Sequence, residues 1–112
     1  MSKIKIEVYT NFNNKESNIN LNAIYLDNKV KYINNDKYIL DLKNNILEKE
    51  NNDSFIKLDF NNNKTFISVK NLKLDIKKDI KVIKIENKLN YFYVKYLLID
   101  EDIYNEYCIK FI

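Results

Sequence analysis

Lysine is the residue type through which this chain could act on a partner, and it is densest in LDIKKDIKVIKIENKL, from Leu74 to Leu89. Taken as a helix, this stretch and its flank set Lys73, Lys77, Lys81, Lys84 and Lys88 at spacings of four, four, three and four, so the ammonium groups form one stripe. Lys78 adds a further cation to the same helix. Ile76, Ile80 and Ile83 repeat on a neighbouring stripe, about 100° round the helix. One face could then rest on a sheet while the other offers point charges to phosphate oxygens, a contact that needs charge more than the bidentate geometry of Arg. Asp75 suits the N-cap and the helix dipole. A strand stays open over Ile80 to Ile85, because Val82 and Ile85 fall off the isoleucine stripe and the segment is rich in β-branched residues. The lysine row has two readings, a solvated helix face or a polyanion-binding face.

Other chemistry is sparse. The chain has no His, Arg or Gly and one Cys, which leaves no Cys/His or Ser/His arrangement and no phosphate-cradling glycine loop. Metal ligation by Cys and His is excluded. Asp100, Glu101 and Asp102 cluster, but consecutive residues point in different directions, and they read as a solvated turn. Cys108, beside Tyr107 in a strand pattern, reads as a small semi-buried hydrophobe. No enzymatic activity, metal or cofactor is expected.

The composition frames these residues. With 112 residues, 46% hydrophobic and 13% aromatic, the chain can build one modest core as a single domain over 1–112. All 19 basic residues are Lys, and the abundance of Lys, Asn, Ile, Tyr and Phe reports an A/T-rich coding sequence more than it reports chemistry. A net charge of +3 permits nucleic-acid binding without demanding it. One cysteine rules out an internal disulfide and suits a reducing compartment. MSKIKIEVYT alternates instead of forming an apolar signal, and no run approaches the length of a membrane span, so a cytoplasmic location is expected.

The elements that must position the lysines follow from periodicity. Ile4, Ile6 and Val8 alternate with Lys3, Lys5 and Glu7, which marks a half-buried strand. Ile19, Ala23, Leu26, Val30 and Ile33 recur at four, three, four and three, so the spacing predicts a helix over 18–34, with Ala23 and Leu26 buried. Residues 36–52 suit either a short helix through Ile39, Leu42 and Ile46 or a strand over Tyr38 to Leu42. Phe55 to Phe60 and Lys64 to Val69 alternate on either side of Asn61, Asn62 and Asn63, which predicts a hairpin with Ile56, Leu58 and Ile67 in the core. Tyr91 to Ile99 is a long aromatic strand, and Tyr107, Ile109 and Phe111 face the core in a last one. The expected fold class is α+β: a small, mostly antiparallel sheet with two helices packed on one face.

That order is similar to the eukaryotic-type large-subunit ribosomal protein twenty-two family. IKIEV at Ile4 to Val8 resembles its first strand, AIYLDNKVK at Ala23 to Lys31 the end of its first helix, FIKLDFNNNKTFISVK its central hairpin and NEYCIKF its closing strand. The resemblance implies a structural constituent of the large ribosomal subunit, with rRNA and neighbouring ribosomal proteins as partners and no membrane or small-molecule substrate expected. Lys73, Lys77, Lys78, Lys81, Lys84 and Lys88 would then meet phosphates, and residues 34–52 would be an insertion. A second resemblance is to a calycin-like β-barrel family. YFYVKYLLIDEDIYNEYCIKFI resembles its closing hairpin and DKYILDL an inner strand. It implies an all-β barrel binding an apolar ligand or a protein partner.

Overall fold

In a computed structural model, which describes residues 2–112, the chain is all β. A long hairpin, β1 (Ser2–Phe12) and β2 (Lys15–Leu26), comes first. A meander of β3 (Lys29–Asn34), β4 (Asp36–Asp41), β5 (Ile46–Glu50), β6 (Ser54–Asp59) and β7 (Lys64–Val69) follows. After one 3-10 turn, Lys70–Leu72, β8 (Leu74–Asn87), β9 (Tyr91–Leu98) and β10 (Tyr104–Phe111) complete the wall. Each strand pairs antiparallel with its sequence neighbours, and β10 returns to β1, closing the barrel.

Both expected helices are strands, and the α+β expectation is corrected accordingly. Over residues 18–34 the helical spacing of Ile19, Ala23, Leu26, Val30 and Ile33 is coincidental. Asp27 and Asn28, with φ of 52° and 64°, turn the chain back in the middle of it. Ile19, Leu21, Ala23 and Tyr25 line the inside at a period of two, while Leu26 and Ile33 are exposed. In β8, Ile80 is buried and Val82 and Ile85 pack on the core with it. A bulge between Val82 and Lys84 shifts the alternation by one residue, which is how both reach the inner face. The segment 36–52 is strand as well, and it supplies β4 and β5 of the wall.

Asparagine does the work that glycine does elsewhere, because it tolerates positive φ. Asn13 and Asn14 (54° and 64°) and Asp27 and Asn28 both give the paired positive φ of a type I′ turn, the turn that matches strand twist. The loops DLKNN (41–45) and DFNNN (59–63) share one device. Asp41 Oδ1 accepts the Asn44 amide at 3.1 Å and Asp59 Oδ1 the Asn62 amide at 3.2 Å, and Asn45 and Asn63 close the loops at φ of 55° and 56°. The expected hairpin across Asn61 to Asn63 is present, with Asp59 opposite Lys64. Leu58 packs on the core, and Ile56 and Ile67 are half-buried.

These loops also close one end of the barrel. The Leu42 amide donates to the Asn28 carbonyl, that of Phe60 to Asn45 and that of Ile80 to Asn63, at 2.8, 3.1 and 3.0 Å, so successive turns are tied together and the last of them to β8. Asn87 Nδ2 crosses that end to the Leu42 carbonyl at 2.7 Å. Inside, Ile6, Val30, Leu40, Phe92, Val94 and Ile109 are fully buried. Phe92→Ala should therefore lower unfolding free energy by about 3–5 kcal/mol. Ile33→Ala, at a position 68% exposed, should change it by less than about 0.5 kcal/mol. Urea denaturation of the two variants checks the inside-outside assignment.

Candidate functional site

The lysine row lies along a strand and not along a helix. In the strand Lys77, Lys81 and, past the bulge, Lys84 keep to the outer face, but at ~3.3 Å per residue the contour from Lys73 to Lys88 is about 50 Å, against about 22 Å on a helix. Lys73 ends the 3-10 turn in a left-handed conformation, and Lys88 lies in the β8–β9 turn. Lys77 and Lys81 stand opposite Phe66 and Leu97. Lys78 takes the other parity, with its Nζ 4.0 Å from Asp100. Lys84 stands opposite Lys95 and pairs with Glu86 at 3.1 Å. All six are exposed, and Lys77, Lys81 and Lys84 share the outer face of β8.

A different set of lysines converges where the wall opens. Between β2 and β3 the ladder holds only Ile24–Lys31, Tyr25–Val30 and Leu26–Lys29. β2 continues beyond it, paired with β1 as far as Lys15, while β3 follows β4 to Asn34. The two strands diverge, and a cleft of about 780 Å³ lies across the divergence. Lys3 and Lys5 of β1, Lys31 of β3 and Lys37 of β4 stand around it, with Ile24 and Ile33 exposed among them. Among the described residues no carboxylate lines it. Lys37 faces Glu50 across β4 and β5, but Glu50 is held at 2.9 Å by Lys70, which is the first cause of its lowered pKa. Among the described residues none of the four cleft lysines forms an ion pair.

The cleft floor comes from the inner face: Ile4, Ala23, Tyr32 and Tyr38. Tyr32 and Tyr38 are cross-strand partners whose rings stack at 4.9 Å and 5°, an arrangement worth about 0.5–1.5 kcal/mol beyond its area. The Lys49 ammonium lies 6.0 Å from the Tyr38 ring centre and 3.4 Å from Asp36. Across the interior, the Tyr32 hydroxyl is hydrogen-bonded to that of Tyr107. Burial raises the pKa of Tyr32, Tyr96 and Tyr107, and the nearby Tyr38 phenol adds to each. All three remain neutral donors at physiological pH. Cys108 lies on the outer face between Tyr9 and Tyr93, and burial pushes its thiol up.

Fold and cleft together define a class, the up-and-down β-barrel, here with an apolar interior reached through a charged opening in its side. No family model, curated protein or solved structure matches this chain. The α+β architecture implied by the ribosomal resemblance is not the architecture of the chain, and an all-β barrel by itself names no family. The cleft lysines left a trace in the sequence that periodicity alone passed over. The tripeptide Lys-Tyr-Ile occurs at 31–33 and again at 37–39, each placing a tyrosine inside and a lysine outside.

The buried phenols set a pH dependence. Tyrosine in the unfolded chain ionises near 10, whereas the folded barrel holds these three groups neutral to higher pH. Their contribution is fully present below the unfolded value and is lost as pH rises from about 10 towards the folded values. Denaturation midpoints should thus fall steeply above about pH 10, with phenolate absorbance of the buried tyrosines appearing together with unfolding. A midpoint flat to pH ~11 would contradict their burial.

Proposed function

We propose that this protein is a binding module for a small amphipathic anion, taken into the side cleft between β2 and β3. The observation that carries the reading is the pairing of two environments in one cavity. Lysines free of ion pairs stand at the rim, and aliphatic and aromatic side chains form the floor, within a volume typical of small-molecule sites. A ligand with a carboxylate, sulfonate or phosphate head would set its charge among Lys3, Lys5, Lys31 and Lys37 and its apolar body against Ile4, Ala23 and the Tyr32–Tyr38 stack. The rim lysines are solvated, so each contributes modestly, up to about 1 kcal/mol. Most of the affinity would come from apolar burial, and the lysines would select the sign of the head group.

The test uses a fluorescent arylsulfonate and dodecanoate, with dodecanol as the uncharged control. Both anions should bind the wild type and weaken as salt rises. Lys31→Gln together with Lys37→Gln should weaken them about five-fold. Removing the same charge on β8, with Lys77→Gln and Lys81→Gln, should leave affinity unchanged. Equal losses in the two double variants would show that only net charge matters and would refute the cleft as the site.

A further inference from the structure

Resting on that reading, we infer that the ligand carries a hydrogen-bond acceptor at its buried end, an oxygen such as a ketone or ester carbonyl, and that the Tyr32 hydroxyl donates to it. A phenol hydroxyl has one hydrogen. In the Tyr32–Tyr107 pair one hydroxyl donates and the other accepts, and the accepting hydroxyl keeps a hydrogen of its own. Neither hydroxyl has a further protein partner among the described residues. Tyr32 is 5% exposed and Tyr107 1%, so that hydrogen is buried, where an unpaired donor is costly. The order within the pair follows from position. Tyr32 lines the cleft and Tyr107 does not, so Tyr107 donates to Tyr32 and Tyr32 donates onward to whatever occupies the floor.

The surroundings favour a neutral acceptor over a second anion. The inner residues beside Tyr107 are Phe92, Val94 and Ile109, all fully buried, and the Phe92 and Tyr107 rings meet edge-on with centres 6.4 Å apart, while Tyr32 stacks on Tyr38. A charge there would be desolvated without a cation to meet it. The Lys49 ammonium is already placed against Asp36 and Tyr38. The ligand class is therefore a two-ended one: an anionic head for the lysine rim, an apolar span, and an uncharged oxygen at the far end.

Straight-chain carboxylates of graded length, and the same acids bearing a ketone next to the terminal methyl, separate this inference from the reading beneath it. Titrated into the wild type, the keto acid of the fitting length should bind about five-fold tighter than its parent. Tyr32→Phe should abolish that preference, read as the ratio of keto-acid to parent-acid affinity within the variant. Tyr107→Phe should keep most of it, because the Tyr32 hydroxyl still has its hydrogen. A purely structural phenol pair predicts no ligand preference and equal effects of the two substitutions. Equal binding of keto and parent acids at every length, or a preference that persists in Tyr32→Phe, overturns the inference and leaves the amphipathic-anion reading standing. Failure of every acid to bind overturns both. If a variant does not fold, the wild-type comparison across chain lengths alone decides.

Discussion

The seam between the first and last strands is the constraint on which this molecule depends. From Ile6 opposite Phe111 to Asn11 opposite Glu106, β1 and β10 complete a ladder that joins the two ends of the chain. Without it β10 would be an open edge, with a row of unpaired amides and carbonyls available to any other strand. Closure also turns one face of every strand inward, which is what allows a chain of this size to bury Ile6, Phe92, Val94 and Ile109 completely. Tyr107 sits in this seam strand opposite Thr10, so the hydroxyl pair reaching to Tyr32 links the seam to the far wall.

A closed ladder need not be complete at both ends, and this one is not. The Asn-rich turns tie one end turn by turn, whereas at the other end β2 outruns β3 and the wall parts. The parting has an electrostatic consequence. Inner residues such as Ala23 and Tyr38, which alternation hides elsewhere, share a cavity with the outer lysines of β1, β3 and β4. Six lysines elsewhere have anionic neighbours, among them Lys64 with Asp79, Lys70 with Glu50, Lys84 with Glu86 and Lys110 with Glu7, whereas others such as Lys77 and Lys81 form no ion pair among the described residues. In the cleft four cations and an apolar floor meet without an acid between them.

The interior is not uniformly apolar. Tyr32, Tyr38, Tyr96 and Tyr107 bring phenols into the barrel, and each buried hydroxyl needs a partner if it is not to oppose folding. Thr65 meets that need by donating to the Lys57 carbonyl at 3.1 Å, and Asn105 by accepting the Asn13 amide at 3.3 Å. The tyrosine pair meets it only in part. Phenylalanine at either position would fill the same space without an unpaired donor.

Much of the wall was legible in the chain. Alternation fixed the strand at Ile4 to Val8, the hairpin across Asn61 to Asn63, the aromatic strand from Tyr91 and the inward face of Tyr107, Ile109 and Phe111. Two stretches misled. At 18–34 apolar residues on either side of a turn happened to fall four and three apart, and only the positive φ of Asp27 and Asn28 separates the two strands. At 74–87 Lys78 interrupts the inner face and a bulge shifts the alternation, so a helical stripe fitted as well as a strand. The sequence by itself determined where the chain turns and which short runs alternate, since those depend on neighbours a few residues apart. Only the tertiary structure decided that ten strands close into one barrel, that β2 and β3 part, and that Lys3, Lys31 and Lys37 surround one cleft. Those outcomes rest on pairing between residues as distant as Ile6 and Phe111, and local periodicity carries no record of which strand lies beside which.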